Sequence, residues 1–177
     1  MKKIVLGLVF VLFNFNLTLG NVIINLIPSF IGYYFIMNAC VILAEKTQNE
    51  HYLETRKMAL LLFVINLFTF VLDLIGLSSV NPYFSAAIGT LNLILSLVFL
   101  SRLTQSITTT TPFDLDEAWI TKLRSLFKWI VVLDILGFVL LIVPVIALMV
   151  LVVAMVFHVL YIIQINQLNQ RLDPEYL

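Results

Sequence analysis

Two carboxylates and one imidazole lie deep in apolar stretches of this 177-residue chain. Asp73 is the only residue with a formal charge between positions 58 and 101, and Asp134 is the only one between 129 and 170. His158 lies in the same stretch as Asp134. A carboxylate at the centre of a membrane span costs about 2.5–3.5 kcal/mol on insertion scales, so such groups usually face the interior of a bundle or a water-filled cavity. These residues could therefore form a path for protons or cations.

Amide side chains accompany the three titratable ones. Asn66 shares one helical face with Thr69 and Asp73 by its spacing, and Asn92 lies further along the same apolar stretch. Amides also join membrane helices, with hydrogen bonds worth about 0.6–2 kcal/mol each. Two interpretations therefore stay open, a proton or cation path and structural hydrogen bonding. The candidate intramembrane polar site consists of Asp73, Asp134, His158, Asn66 and Asn92.

Motifs for catalysis and for metal or cofactor binding are missing from the sequence. The single cysteine, Cys40, excludes an intramolecular disulfide and a cysteine-based zinc site, and His51 and His158 have no metal-site spacing. No nucleophile motif, Gly-rich phosphate loop or paired carboxylates occur. Asp134 and His158 are the only distinctive acid/base pair, and we predict that they lie on neighbouring helices at different depths. We expect no catalytic residue, no metal and no cofactor.

The composition is that of an integral membrane protein. Hydrophobic residues make up 62% of the chain and charged residues 11%, against about 45–50% and about 25% in an ordinary soluble domain. The mean hydropathy is +1.08. Ten basic and ten acidic residues balance, which gives no attraction to nucleic acid. The composition therefore excludes a soluble domain, a disordered chain and a nucleic-acid-binding protein.

Three long apolar stretches predict six transmembrane helices. Each stretch is about twice the roughly 20 residues that one span requires, and turn residues lie near the middle of each. We predict an all-α polytopic fold of three tandem hairpins in a single transmembrane domain, with Asn81 and Pro82 starting the fourth helix. The hairpins cover about 4–44, 58–103 and 121–167, and the six segments are 4–19, 26–44, 58–77, 82–103, 121–142 and 145–167.

All ten basic residues lie on one side of these segments, and the three hairpin turns carry no charge. The positive-inside rule then puts both termini in the cytoplasm. Cleavage of the first segment as a signal peptide is an alternative, because Lys2 and Lys3 precede an apolar run and Gly20 ends a small-residue site. Two asparagines interrupt that pattern, and we therefore favour an uncleaved span that is thin, tilted or partly re-entrant.

The second and third hairpins share a local string. Val71–Gly76 and Val132–Gly137 have the same spacing of Val-Leu-Asp and Gly, and Pro82 and Pro144 follow at similar distances. The string predicts tandem repeats, although chance similarity in so apolar a chain is an alternative. Between these hairpins, an amphipathic series behind Asp114 predicts a cytoplasmic interfacial helix over 113–127 within a loop of 104–127. A simple lead-in to the fifth helix is the other interpretation.

Residues 13–36 resemble a family of small, uncharacterised integral membrane proteins of Firmicutes bacteria. The two segments that carry the resemblance read FNFNLTLG at 13–20 and INLIPSFIGY at 24–33. The family has aspartates where this chain has Asn14 and Ser29. The resemblance implies a bacterial plasma membrane and an uncleaved N-terminus, and it implies no activity.

Three classes of function follow from these features. The first, which we favour, is a non-enzymatic membrane protein that binds, senses or scaffolds within the bilayer, with lipid, a homo-oligomer or a membrane protein as partner. The second is a small channel or transporter with a polar path near Asp134, Asp73 and His158. An intramembrane enzyme is the least favoured class, because acid/base work needs groups within hydrogen-bond reach.

Overall fold

A computed structural model describes residues 1–12, 16–19, 22–25, 27–76, 82–110 and 116–171 of the chain. Within these residues, six helices and two short strands follow one another, and a 3-10 turn over Leu140–Ile142 precedes the last helix. The elements are α1 (Lys2–Leu12), β1 (Asn16–Leu19), β2 (Val22–Asn25), α2 (Ser29–Thr47), α3 (His51–Leu74), α4 (Pro82–Thr108), α5 (Glu117–Val139) and α6 (Pro144–Arg171).

The predicted helical segments from 26 onwards agree with helices α2 to α6. Four helical segments are long and apolar enough to cross a membrane: His51–Leu74, Tyr83–Thr108, Glu117–Ile142 and Pro144–Leu168. Prolines begin α4 and α6, as expected for a residue that lacks an N–H and has a helical φ. Gly76 follows α3 with φ of 73°, a left-handed conformation that glycine adopts without steric cost. The third hairpin therefore turns just before Pro144, as predicted, whereas residues 77–81 of the predicted turn in the second hairpin lie outside the described residues.

Over the described residues the fold is helical as predicted, with six helices, and it differs from the prediction locally in the first segment. Helix α1 ends at Leu12, and β1 pairs with β2 as an antiparallel hairpin with Leu19 opposite Val22. Asn is a poor helix former, and the β-branched residues of 22–25 favour a strand. Gly20 and Asn21, which we predicted as the turn, lie outside the described residues. The predicted helical span over 4–19 and the observed helix and strand therefore differ in element type. Asn14, one of the two interrupting asparagines, lies outside the described residues.

Large buried side chains concentrate at one end of the bundle. We call residues 36–62, 96–110, 117–130 and 158–171 the terminal half, and 63–76, 82–95 and 131–157 the turn half. The terminal half contains the fully buried side chains of Tyr52, Leu62, Leu103, Leu123, Ile130 and Ile165, among others. In the turn half, the buried residues among those described are all small: Gly76, Gly137, Ala147 and Ala154. Within these two sets of residues, the bundle is packed in the terminal half and open in the turn half, whereas Ile4 and Tyr33 are buried outside both sets.

Helices α1 and α2 cross at two glycines. A Cβ atom on Gly7 would lie 2.6 Å from the carbonyl oxygen of Gly32, and a Cβ on Gly32 would overlap the carbonyl oxygen of Gly7. Backbones approach this closely only where side chains are absent, as is common in membrane helix pairs. The short helix α1 is therefore held against α2 by backbone contact.

A polar cluster connects α3 and α4 in the terminal half. The side-chain amide of Asn49 donates to the backbone oxygen of Ser106 and to the hydroxyl of Thr110, at 3.2 and 3.1 Å. The hydroxyls of Thr55 and Ser106 are 2.8 Å apart and buried. An exposed ion pair of 3.0 Å between Arg102 and Glu54 lies beside them. These contacts bring the start of α3 and the end of α4 to the same end of the bundle.

The start of helix α5 is continuous with the fifth span, as in a lead-in, but it is buried against the bundle instead of solvated. It begins at Glu117 and continues without a break to Val139, whereas Asp114, the proposed cap, lies outside the described residues. The apolar series at its start is buried in the bundle: Trp119 is only 6% exposed, and Leu123 and Ile130 are fully buried. The amphipathic pattern therefore reflects packing of α5 against the protein.

Candidate functional site

The side chains of Asp134 and His158 form a pair between α5 and α6. Nε2 of His158 lies 3.4 Å from Oδ2 of Asp134, and the two side chains are only 18% and 16% exposed. Nδ1 of His158 lies 2.9 Å from the backbone oxygen of Ala154, one turn earlier in α6. Because a carbonyl oxygen can only accept, Nδ1 carries the proton of that hydrogen bond. The imidazole is thereby fixed with Nε2 directed at the carboxylate.

We predicted that Asp134 and His158 lie at different depths, but their side chains are in contact. Side chains in a helix lean toward its N-terminus. Helices α5 and α6 form an antiparallel hairpin, so the two side chains lean in opposite directions and toward each other. Residues whose backbones differ in depth can therefore come into contact.

A second polar pair joins α3 to α4. The amide nitrogen of Asn66 donates to Oδ1 of Asn92 at 3.0 Å and to the backbone oxygen of Leu62 at 2.8 Å. Such a contact is the structural hydrogen bonding that the amides predicted. Oδ1 of Asn92 has a second lone pair beyond the one that this hydrogen bond occupies.

Both pairs line one cavity of about 210 Å³ at the centre of the bundle, which we call the central cavity. Every helix contributes to its wall, from Leu8 on α1 and Tyr33 on α2 to Ser96 on α4. A polar cavity of this volume has room for several water molecules or for a small polar molecule. The full wall is Leu8, Val11, Leu12, Ser29, Tyr33, Asn66, Asn92, Ser96, Leu97, Phe99, Leu100, Asp134, His158, Tyr161 and Ile162.

A second cavity of about 210 Å³, the turn-half cavity, adjoins the first. It lies between α3 and α4, and Asn66 and Asn92 line both cavities. Asp73, Ser85 and Gly89 complete the polar and small part of its wall. Thr69 lines it too, which confirms that Asn66, Thr69 and Asp73 share one face of α3. The amide pair therefore lies where the two cavities meet.

The structure thus places four of the five predicted site residues in the wall of one cavity: Asn66, Asn92, Asp134 and His158. Asp73 is separate, since it lines only the turn-half cavity.

Sequence reasoning missed two tyrosines of the central cavity. Tyr161 is fully buried, and its hydroxyl lies 2.8 Å from that of Thr104. Tyr33 is buried with its ring packed edge-on against Phe99 at a centroid distance of 5.6 Å. Tyr161 follows His158 by three residues and so shares its helical face, a spacing that could have indicated it. For Tyr33 the sequence gives no comparable signal.

The wall chemistry suits a polar or cationic ligand. Of the residues that the structure describes, Asp134 is the only carboxylate in the wall of the central cavity, and no lysine or arginine lines it. Among the described residues, no group of three or more His, Cys, Asp or Glu side chains could hold a metal ion. The remaining polar groups are amides and hydroxyls, which bind by hydrogen bonds and by oxygen lone pairs.

The surroundings of corresponding residues on α4 and α6 do not test the predicted tandem repeat. Ser85, Gly89 and Asn92, which follow Pro82 by 3, 7 and 10 residues, line the turn-half cavity beside α3. Ala147 and Ala154, which follow Pro144 by 3 and 10 residues, are buried. No family model, curated protein or solved structure matches the chain.

Proposed function

We propose that this protein is a non-enzymatic, six-span membrane protein that binds a small polar solute in the central cavity. The observation that carries the proposal is that all six helices line one cavity containing the Asp134–His158 and Asn66–Asn92 pairs. Intramembrane ionisable groups are costly and tend to mark ligand and ion sites. A purely structural role of the two pairs would account for their contacts between helices but not for the cavity that they line.

Six spans and cytoplasmic termini are part of the proposal. Helix α2 has 19 residues, a length of about 28 Å at 1.5 Å per residue, which is close to the thickness of the hydrocarbon core. Helix α1 has only 11 residues, about 16 Å, and the strands β1 and β2 would supply the remaining depth. The resemblance of residues 13–36 supports a bacterial plasma membrane. The large apolar side chains exposed on the turn half would face lipid, or a homo-oligomer or membrane protein partner.

Cysteine labelling tests this topology. In a Cys40→Ala background, single cysteines at Ser79 and Thr109 are exposed to an impermeant thiol reagent on intact cells. We expect labelling at position 79 and none at 109 until the cells are permeabilised. Labelling at 109 with protection at 79 would reverse the orientation.

Solute binding is tested by co-purification and by filling the cavity. Native mass spectrometry of the gently purified protein should find a small polar molecule or ion that Asn92→Leu removes. Thr90→Val is the matched control, because Thr90 lies on the same helix, lines neither cavity and bonds only to its own backbone. Retention of the same molecule in Asn92→Leu would contradict binding in the cavity.

Transport is the second candidate function. The observation that favours it is that Asn66 and Asn92 line both cavities, so that polar groups continue from Asp134 to Asp73 near the turn end of α3. Proteoliposomes should then show a flux of the co-purified solute or ion that Asp134→Asn reduces. Binding without flux would limit the protein to binding or sensing.

A further inference from the structure

The protonation of the Asp134–His158 pair follows from its geometry. Nδ1 of the imidazole is committed as the donor to Ala154. If the carboxylate were ionised and Nε2 had no proton, two acceptor atoms would face each other at 3.4 Å. The pair would then have a net charge of −1 inside the bundle, which is strongly unfavourable away from water. With one proton, on Nε2 or on Oδ2, the pair is neutral and the two atoms attract.

We propose that the Asp134–His158 pair holds one proton while the central cavity is empty and releases it when a small monovalent cation binds beside Asp134. This inference rests on the proposed function, since the cation is the ligand of the central cavity. It extends that function by naming the class of ligand and the proton that is exchanged for it.

The charge of the cavity wall selects a monovalent cation. Apart from the pair, the titratable groups in the wall are the phenols of Tyr33 on α2 and Tyr161 on α6. Phenols ionise only in alkaline solution. In the described part of the chain, α1, α3 and α4 contribute no titratable side chain to the wall, and Asp73 lines only the neighbouring cavity. Loss of one proton therefore creates a single negative charge, which one positive charge balances.

The ligand atoms available also suit a hard cation or a protonated amine. The Asp134 carboxylate, the free lone pair of Asn92 and the hydroxyl of Ser96 are oxygen ligands. Alkali cations and ammonium groups bind such oxygens, whereas softer transition metals prefer imidazole and thiolate. A divalent cation would leave one positive charge without a partner.

The exchange balances charge and atoms. One cation enters the cavity, its charge pairs with the Asp134 carboxylate, and one proton leaves the pair for the solution. The bound cation and the displaced proton each carry one positive charge, so the site stays neutral. Binding without proton release would instead place an unpaired positive charge among apolar helices.

The test measures protons directly. The purified full chain in weakly buffered detergent solution near neutral pH receives NaCl, KCl or methylammonium chloride, and a pH indicator dye reports proton release. N-methylglucamine chloride, whose cation is far larger than Na⁺, K⁺ or methylammonium, controls for ionic strength. We expect at least one of the three small cations to release about one proton per chain in a saturable manner, as when a ligand must lose its proton to bind a cation.

Substitutions test whether the released proton comes from the Asp134–His158 pair. Asp134→Asn should abolish the release, whereas Glu45→Gln, which removes an exposed carboxylate on α2 that lines neither cavity, should preserve it. If Asp134→Asn fails to fold, His158→Gln replaces it. The midpoint of release should then move to lower pH, because a lone carboxyl has one place for the proton instead of two. Full release from Asp134→Asn, or an unchanged pH profile in His158→Gln, would overturn the proposal.

Thermal denaturation separates this inference from the proposed function. A ligand that binds only the folded protein raises its melting temperature. A small cation that raises this temperature without proton release overturns the exchange and leaves solute binding intact. If none of the three cations raises it or releases protons, the exchange is overturned, and co-purification with wild type and Asn92→Leu decides on solute binding.

Discussion

Helices α3 to α6 run through both the terminal half and the turn half of this bundle, yet the two halves pack very differently. Leu123 in the terminal half is fully buried, whereas Leu148 in the turn half is 65% exposed. The terminal half also carries the hydrogen bonds that connect Asn49 to α4 and Thr104 to Tyr161. In the turn half, α3 and α4 enclose a cavity instead of a core. The central cavity lies at the boundary between the packed terminal half and the open turn half.

The difference shows how a protein with an apolar surface can keep a polar site. Hydrophobicity does not drive helices together in lipid, so close packing and hydrogen bonds must do so. The terminal half has both, and it can hold the helices while the turn half stays apart. An open half leaves space for a solute to approach Asp134. We therefore expect substitutions in the terminal half to affect stability and those around the cavities to affect binding.

The largest predicted contrast compares one buried and one exposed leucine. Leu103→Ala creates a cavity at a fully buried position, and such changes cost about 2–5 kcal/mol. Leu148→Ala removes a similar side chain from a position 65% exposed to lipid, and its effect should be close to zero. Thermal or denaturant-induced unfolding in detergent measures both. Equal losses of stability would show that the two halves do not differ in packing.

Two glycines give the next contrast. Gly32→Ala places a methyl group against the backbone of Gly7, and overpacking of this kind costs about 1–3 kcal/mol. Gly89→Ala meets no atom within 4 Å, and the higher helix propensity of alanine should make it neutral or stabilising by up to about 1 kcal/mol. The two melting temperatures in the same detergent provide the comparison. A neutral Gly32→Ala would argue against close contact of α1 and α2.

Substitutions of Asp134, at the boundary between the two halves, should have a smaller effect on the free energy of unfolding. Asp134→Leu removes the partner of His158 and should cost about 1–2 kcal/mol, partly offset because leucine is easier to bury. Asp134→Asn should preserve stability, since an amide can replace the hydrogen bonds of a neutral acid. The comparison is a pair of unfolding curves. An Asp134→Asn protein as unstable as Asp134→Leu would mean that the carboxylate is required as a charge for folding.

The smallest predicted contrast is between the fluorescence quenching of Trp119 and that of Trp129. Trp119 is 6% exposed and Trp129 is 51% exposed, although both lie on α5 within the terminal half. In single-tryptophan variants, brominated lipids should quench Trp129 strongly and Trp119 weakly. Stronger quenching of Trp119 would place the start of α5 in the lipid and restore the interfacial helix.

Much of the fold was accessible from the sequence because long apolar runs and prolines are strong signals. The starts of α4 and α6 at Pro82 and Pro144 follow from the proline chemistry alone. The first segment was harder, because a short run of 16–25 is compatible with helix and strand, and only β-branched residues and the Gly-Asn turn distinguish them. The short α1 depends on contact with α2, which a local pattern does not encode.

The candidate site was predictable by residue type and less so by geometry. Buried polar residues in an apolar chain are few, so Asp134, His158, Asn66 and Asn92 were identified from composition alone. Which of them pair depends on the tilt of side chains and on the register between antiparallel helices. For the same reason Asp73, equal to Asp134 in the local sequence, lines a different cavity.

Water access to the central cavity is the claim on which the account depends, and cysteine reactivity measures it. In a Cys40→Ala background, Ser96→Cys lines the cavity, and Ile94→Cys, at a position 54% exposed outside both cavities, is the lipid-facing control. A small, charged methanethiosulfonate reagent reacts with thiolate, which forms in water and not in lipid. We predict modification of position 96 and none of position 94. No reaction at 96, or faster reaction at 94, would contradict a water-accessible site beside Asp134.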